Sequence, residues 1–181
     1  LPEMLDLLNK IASDIHPTPA DETFIVFLGD LIDRGPDSNR VVELLRRFSP
    51  ATATPVFLMG NHEEIFLKIM QGHHELLESW FSFGGRACAR SYGVENLGAV
   101  FTQPDLIMQQ LQDKVPANHV SFLNSFIEIN KHLNIIDMKR IILLIGVVTF
   151  CFFESNAQSF ELTPTDGFLK ATSPDLLITG S

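Results

Sequence analysis

Two short runs without charge, Phe24-Ile25-Val26-Phe27-Leu28 and Val56-Phe57-Leu58-Met59, constrain this chain most. Both are apolar, rich in aromatic and β-branched residues, and too short for helices, as parallel strands buried on both faces should be. Each runs straight into a glycine and then into polar groups. Gly29-Asp30-Leu31-Ile32-Asp33-Arg34-Gly35 follows the first, and Gly60-Asn61-His62-Glu63 the second. The polar side chains therefore stand where strands end and loops begin, and that carboxyl edge of an open α/β sheet is where ligands bind. Glycine there lets backbone or a metal ion approach with no Cβ in the way.

The intervening sequence alternates with helices, which gives an α/β domain over 1–130. Leu1, Met4, Leu5, Leu8, Ile11 and Ile15 recur at three and four residues as one apolar stripe, ended by His16-Pro17-Thr18-Pro19. Asp37 or Ser38 can cap a second helix that turns Val41, Val42, Leu44, Leu45 and Phe48 to the sheet and closes at Ser49-Pro50. Glu63 to Met70 reads as a third, with Glu63 and Glu64 favoured at its start by the helix dipole. Pro104 and Pro116 read as first-turn prolines of two more. With 181 residues, 45% of them hydrophobic, the chain can bury one sizeable core.

Charge and cysteines narrow the function classes. The net charge is −9 and no lysine and arginine patch stands out, which argues against a nucleic-acid partner. Cys88 and Cys151 lie far apart with no metal-type spacing, so they read as reduced, buried thiols in a cytoplasmic protein. His73 and His74 read as solvent-facing, and His16, His119 and His132 as surface or loop residues.

The two strand-end motifs supply the groups that phosphate chemistry needs. A phosphate monoester dianion repels hydroxide, so paired divalent metals are required to neutralise its oxygens and generate a nucleophile from water. Asp30, at a strand end, can bridge two such ions, and Asn61 offers a hard, neutral amide oxygen to one of them. The planar fork of Arg34 matches phosphate oxygens. His62 can protonate a leaving alkoxide, and Arg34, Asn61 and His62 together form the candidate phosphate-binding set. The alternatives are an Asp33–Arg34 surface ion pair and Asp37-Ser38 as a helix cap only. Arg86 and Arg90 suit either a phosphate contact or a structural role.

In spacing, these motifs resemble the calcineurin-like metallophosphoesterases. Asp30-Leu31-Ile32-Asp33-Arg34-Gly35-Pro36-Asp37-Ser38 is similar to their phosphoprotein (serine/threonine) phosphatase branch, and Trp80-Phe81-Ser82-Phe83-Gly84-Gly85-Arg86-Ala87-Cys88-Ala89-Arg90-Ser91-Tyr92-Gly93 to a stretch of its bacterial members. The resemblance implies a layered α/β/β/α sandwich and two divalent ions (manganese, iron, zinc or magnesium). It also implies a bridging role for Asp30, an Asp33 that fixes the tautomer of His62, and hydrolysis by metal-activated water. The implied partner is a phosphorylated protein or a small phosphoester, with a dinucleoside polyphosphate as the alternative substrate. A catalytically dead remnant that only binds is the alternative of another class.

Three family motifs do not occur in this sequence: a first strand ending in Gly-Asp-x-His-Gly, a His-Ala-Gly type motif, and a Gly-His-Thr-Pro type motif. The resemblance leads one to expect the first of these just ahead of Leu1. It stops at about Phe126, leaving 131–181 as a divergent tail. Within that tail, 138–158 reads Met138-Lys139-Arg140, an apolar Ile141 to Phe153, then Glu154-Ser155-Asn156-Ala157-Gln158, the grammar of a signal peptide placed mid-chain. It is read either as a second reading frame joined at Met138 or as a degenerate buried strand, and it is too short for an ordinary membrane span of about 20 residues. Thr163 to Ser181 reads as loop or frayed terminus.

Overall fold

A computed structural model describes residues 2–14, 23–51, 53–128, 144–145, 161–165 and 168–172. Strand β1 (Phe24–Phe27) and strand β2 (Thr54–Phe57) pair in parallel, in register from Phe24 opposite Thr54 to Phe27 opposite Phe57. Helix α2 (Ser38–Arg47) joins them, which makes the crossover that parallel strands require. It buries Val42 and Leu45 and packs Val41, Leu44 and Phe48 against the core, as the sequence implied. Ile25, Val26 and Phe27 are buried, whereas β2 is only partly covered and Thr54 is exposed.

A third strand, β3 (Leu144–Ile145), pairs in parallel with the other edge of β1, so the order is β2-β1-β3. Two residues of the apolar run at 141–153 are therefore strand; the remainder of that run lies outside the described residues. Beyond it, β4 (Glu161–Thr165) and β5 (Phe168–Thr172) form an antiparallel pair. This corrects the expectation of loop for 163–165 and 168–172; 173–181 lie outside the described residues. The two residues between the strands are Asp166-Gly167, a dipeptide that favours two-residue hairpins.

The helices fill in around the sheet. Helix α1 (Pro2–Asp14) buries Leu8 and Ile11 with Met4 and Leu7 packed beside them, while Leu5, expected on the stripe, is 40% exposed. Leu1 and Ile15 lie outside the described residues. Helix α3 (Asn61–Met70) starts two residues ahead of the sequence expectation and buries Phe66, Leu67 and Ile69. After it come a short 3₁₀ turn (His74–Leu76), α4 (Leu77–Trp80), a widened turn (Phe81–Gly85) and α5 (Arg86–Ser91). A second 3₁₀ turn (Leu97–Phe101) leads to α6 (Pro104–Lys114), which does open on Pro104, and Pro116 immediately precedes α7 (Ala117–Asn124). The chain then returns to the sheet: Ile127 bridges Leu58, its N–H donating to the Phe57 carbonyl at 2.8 Å. Phe27 stacks on Phe57 at 4.6 Å and Phe57 on Phe126 at 5.2 Å, so aromatic rings tie the end of α7 to both strands.

His119 corrects another expectation, because it is buried rather than on the surface. Its Nε2–H donates to Glu43 at 3.1 Å, and Nδ1 then accepts from the Tyr92 hydroxyl at 3.0 Å. Glu43 also pairs with Arg46 at 2.9 Å and with Arg47, so the chain of bonds links α2 to α7. Hydrogen bonds from Arg46, with His119 assisting, hold the Glu43 carboxyl down at about 2, against an ordinary 4.5. A depressed carboxylate adds stability above its unfolded-state pKa and loses it as pH falls through the folded-state value. Urea unfolding of the wild type and Glu43→Gln should therefore show a stability gap that is full at neutral pH, shrinks below 4.5 and closes near 2. A gap that did not vary with pH would assign the effect to packing instead.

Candidate active site

The loops after β1 and β2 meet backbone to backbone. Gly29 takes φ 89, and a Cβ built on it would stand 2.5 Å from the Gly60 nitrogen; a Cβ on Gly60 would strike Asp30 and, at 2.6 Å, Oε2 of Glu63. No other residue type allows that approach. Glu63 closes it. Its side chain is fully buried, and its carboxylate accepts from the backbone N–H groups of Asp30 at 2.8 Å, Leu31 at 2.6 Å, Ile32 at 3.3 Å and Gly60 at 3.1 Å. The first three belong to one loop and the fourth to the other. Burial pushes the Glu63 carboxyl up, while the bonds from Asp30 and Leu31 pull it back.

Glu63 is the residue that sequence reasoning missed, since it reads there as an acidic opener of α3. The available signal was its place three residues after the helix-capping Gly60, where a side chain can reach back to the cap nitrogen. Nothing in the spacing points to the other three bonds.

The five residues singled out from the sequence collect at this one edge of the sheet. Asp30, partly buried, is at φ 54, and its Oδ1 receives a weak bond from the His62 backbone N–H at 3.4 Å. Asn61 and His62 form the first turn of α3, with Asn61 exposed and His62 buried. His62 Nδ1 lies 2.7 Å from Oδ2 of Asp33, whose side chain is wholly buried. Asp33 is thus no partner in a surface ion pair with Arg34. A carboxylate can only accept here, so the imidazole carries its proton on Nδ1 and directs Nε2 away from the pair. Burial raises the Asp33 carboxyl, against the lowering effect of His62, Trp80 and Cys88.

Around Asp33 the sheath is complete. Trp80 donates its indole N–H to both carboxylate oxygens, at 2.9 and 3.1 Å, and the Asp33 backbone N–H donates to the Ser38 hydroxyl at 3.1 Å. Ser38 therefore serves this loop rather than capping α2, whose cap residue Asp37 makes no side-chain cap bond. Cys88 is a free, buried thiol pushed well up by that burial and by the neighbouring Asp33; Cys151 lies outside the described residues. Arg34, at φ 55, is exposed and anchored by its backbone N–H to the Gly84 carbonyl at 3.1 Å. Arg86 takes its structural alternative, donating to the Leu97 carbonyl at 3.1 Å with its guanidinium over the Phe81 ring at 4.9 Å. Arg90 is exposed, as are His73 and His74.

For a metal the donor set is partial. Asp30 and Asn61 bring two hard oxygens to adjacent loops, but among the described residues no group of three or more His, Cys, Asp and Glu is placed to hold an ion. Two ions need more ligands than these. What the described residues form in full is a buried, hydrogen-bonded pair of His62 and Asp33, with Arg34 next to Asp33 in the chain.

The pattern of the calcineurin-like phosphoesterases matches residues 1–180, and the chain belongs to that family. The match runs past Phe126, where the resemblance of the individual motifs ends. Among curated proteins, a class 3 fructose-1,6-bisphosphatase from Pediococcus pentosaceus is 33% identical over 102 residues, 54% of this chain and 15% of that protein. The chain thus spans a small part of the relative it matches.

Because Glu63 satisfies four backbone donors at once, Glu63→Gln should turn an amide N–H₂ toward some of them and lower stability by about 3 kcal/mol. Urea denaturation checks this; a loss no larger than that of the neighbouring surface change Glu64→Gln would mean the four bonds contribute little.

Proposed function

We propose that this chain is part of a metal-dependent phosphomonoester hydrolase in which Arg34 binds the phosphate and His62, held by Asp33, protonates the leaving alkoxide. The observation that carries the reading is the 2.7 Å contact between His62 Nδ1 and a wholly buried Asp33 carboxylate. A buried acid beside an imidazole fixes its tautomer and supports the charge that the ring acquires when protonated. Asp30 and Asn61 are the ligands this chain would bring toward the family's divalent ions, be they manganese, iron, zinc or magnesium, whose chemistry when bound is activation of the attacking water.

Phosphoserine or phosphothreonine in a protein is the substrate class we favour, supported by the likeness of Asp30 to Ser38 and of Trp80 to Gly93 to phosphoprotein phosphatases. The bisphosphatase relative favours a small sugar phosphate as the substrate to test beside it. The negative charge supports the absence of nucleic acid among its partners. Among the described residues no helix is long and apolar enough to cross a membrane. The free thiol of Cys88 is in keeping with a cytoplasmic setting.

A remnant that binds phosphate without turnover is the second reading, favoured by the missing third metal ligand among the described residues. The two separate in one experiment. The 181-residue chain with manganese should not measurably hydrolyse an aryl phosphate, while the same chain joined to a Gly-Asp-x-His-Gly strand and the two histidine motifs should hydrolyse it, a phosphoserine peptide and, more slowly, fructose 1,6-bisphosphate. In the joined form Asp30→Asn should abolish turnover through metal loss. His62→Asn should lower kcat by about 10²–10⁴ with metal content nearly unchanged. A joined form that bound metal and phosphate but never turned over would establish the remnant, and faster turnover of the sugar bisphosphate would reassign the substrate.

A further inference from the structure

The widened turn between α4 and α5 touches both halves of the proposed chemistry. At its start stands Trp80, 1% exposed, with one indole N–H shared between the two oxygens of Asp33 at 3.1 and 2.9 Å. The Oδ2 atom in that fork is also the one that His62 Nδ1 meets at 2.7 Å. At its far end stand two glycines. Gly84, at φ 114, accepts the backbone N–H of Arg34 at 3.1 Å, and a Cβ built on it would lie 2.6 Å from Cγ of Arg34. Gly85 lies against the indole itself, where a Cβ would fall onto ring atoms that include Nε1. Five residues of chain therefore connect a bond to the imidazole's carboxylate with a bond to the arginine's backbone.

We propose that Trp80–Gly85 is the positioning element of this site: Trp80 orients Asp33 and through it His62, while Gly84 seats Arg34. This rests on the reading of His62 as proton donor and Arg34 as phosphate ligand. Ring packing alone does not require an indole. Trp80 meets Phe66 at 5.6 Å and Phe81 at 5.4 Å between centroids, contacts that a phenylalanine at 80 would largely keep. What only tryptophan adds is the N–H that holds both oxygens of a wholly buried carboxylate. A left-handed residue at 84 is likewise unnecessary for a helix-to-helix connection, and a stretched turn of this width is a frequent device at functional sites.

The chain's single tryptophan makes the test direct, because it gives one indole N–H resonance and one emission source. In the 181-residue chain, Asp33→Asn should move that resonance upfield and speed its exchange with solvent while the helical circular dichroism stays as in the wild type. Inorganic phosphate, titrated against Trp80 emission, should bind the wild type saturably. Gly84→Ala should weaken it by about tenfold, since Arg34 loses its seat, whereas Gly98→Ala, which meets nothing within 4 Å, should not. In the joined, metal-loaded form described above, Trp80→Phe should lower kcat by about tenfold with KM unchanged, and Gly84→Ala should raise KM, a split that general loss of folding would not give. An indole signal indifferent to Asp33→Asn, or wild-type phosphate affinity in Gly84→Ala, overturns the inference. A wild-type chain that binds no phosphate overturns the functional reading and the Gly84 half with it, while the indole signal still decides the Asp33 half.

Discussion

One buried carboxylate holds the two loops of this site together. Glu63 comes from the second strand-end motif and accepts three N–H groups from the first and one from its own. Successive backbone N–H groups turned to one side make a concavity for an anion, and here the anion is an internal side chain. Fixed in this way, Asp30 and the start of α3 have a set relation to each other. So do Asp33 and His62, because each stands within three residues of an atom that Glu63 holds. An amide or an aliphatic group in that fully buried position would leave some of these donors unmet.

The same loop is strained, and the strain falls on three of the residues proposed for the site. Asp30, Asp33 and Arg34 all take left-handed φ, at 54, 72 and 55. Each such non-glycine residue costs on the order of 1–3 kcal/mol and persists only where its surroundings dictate the conformation. Charge-assisted bonds of the kind Glu63 makes contribute about 1.5–3 kcal/mol each, so the two effects are of the same size. In this conformation the loop turns its N–H groups to Glu63 and also delivers a carboxylate, a second carboxylate and a guanidinium to one sheet edge within five residues.

How far the sequence disclosed this depended on the range of the interaction. Charge-free runs ending in glycine gave both strands, their parallel pairing and the cluster of Asp30, Asp33, Arg34, Asn61 and His62, because backbone topology alone puts neighbouring strand ends together. Apolar periodicity gave α2 and most of α1, although Leu5 shows that a stripe read at three- and four-residue steps can be off by one position at its rim. Contacts set by tertiary packing were not legible. The bonds from Trp80 to Asp33 and from His119 to Glu43 span 47 and 76 residues, and no spacing rule reaches so far. The β4–β5 pair was not legible because Pro164-Thr165-Asp166-Gly167 reads equally as a turn within a loop.

The electrostatic layout bears on the choice between the two proposed readings. Asp33 and Glu63 are both buried, and burial raises both carboxyls, so the folded state penalises their ionised forms as pH rises through those raised values. The catalytic reading proposed above gives the first of these penalties a use. An arginine on the surface suffices to attract phosphate, and a dry hydrophobic side chain at 33 would fill the space beneath α3 at lower cost. Under the proposed function, the buried Asp33 carboxyl would support the charge that the His62 imidazole acquires when protonated. The indole N–H that grips both its oxygens is what keeps that carboxylate supplied with hydrogen bonds away from water. The donors Asp30 and Asn61 bear on whether a metal could be held among the described residues; the dry pair of Asp33 and His62 bears on the proton donor in the function we propose.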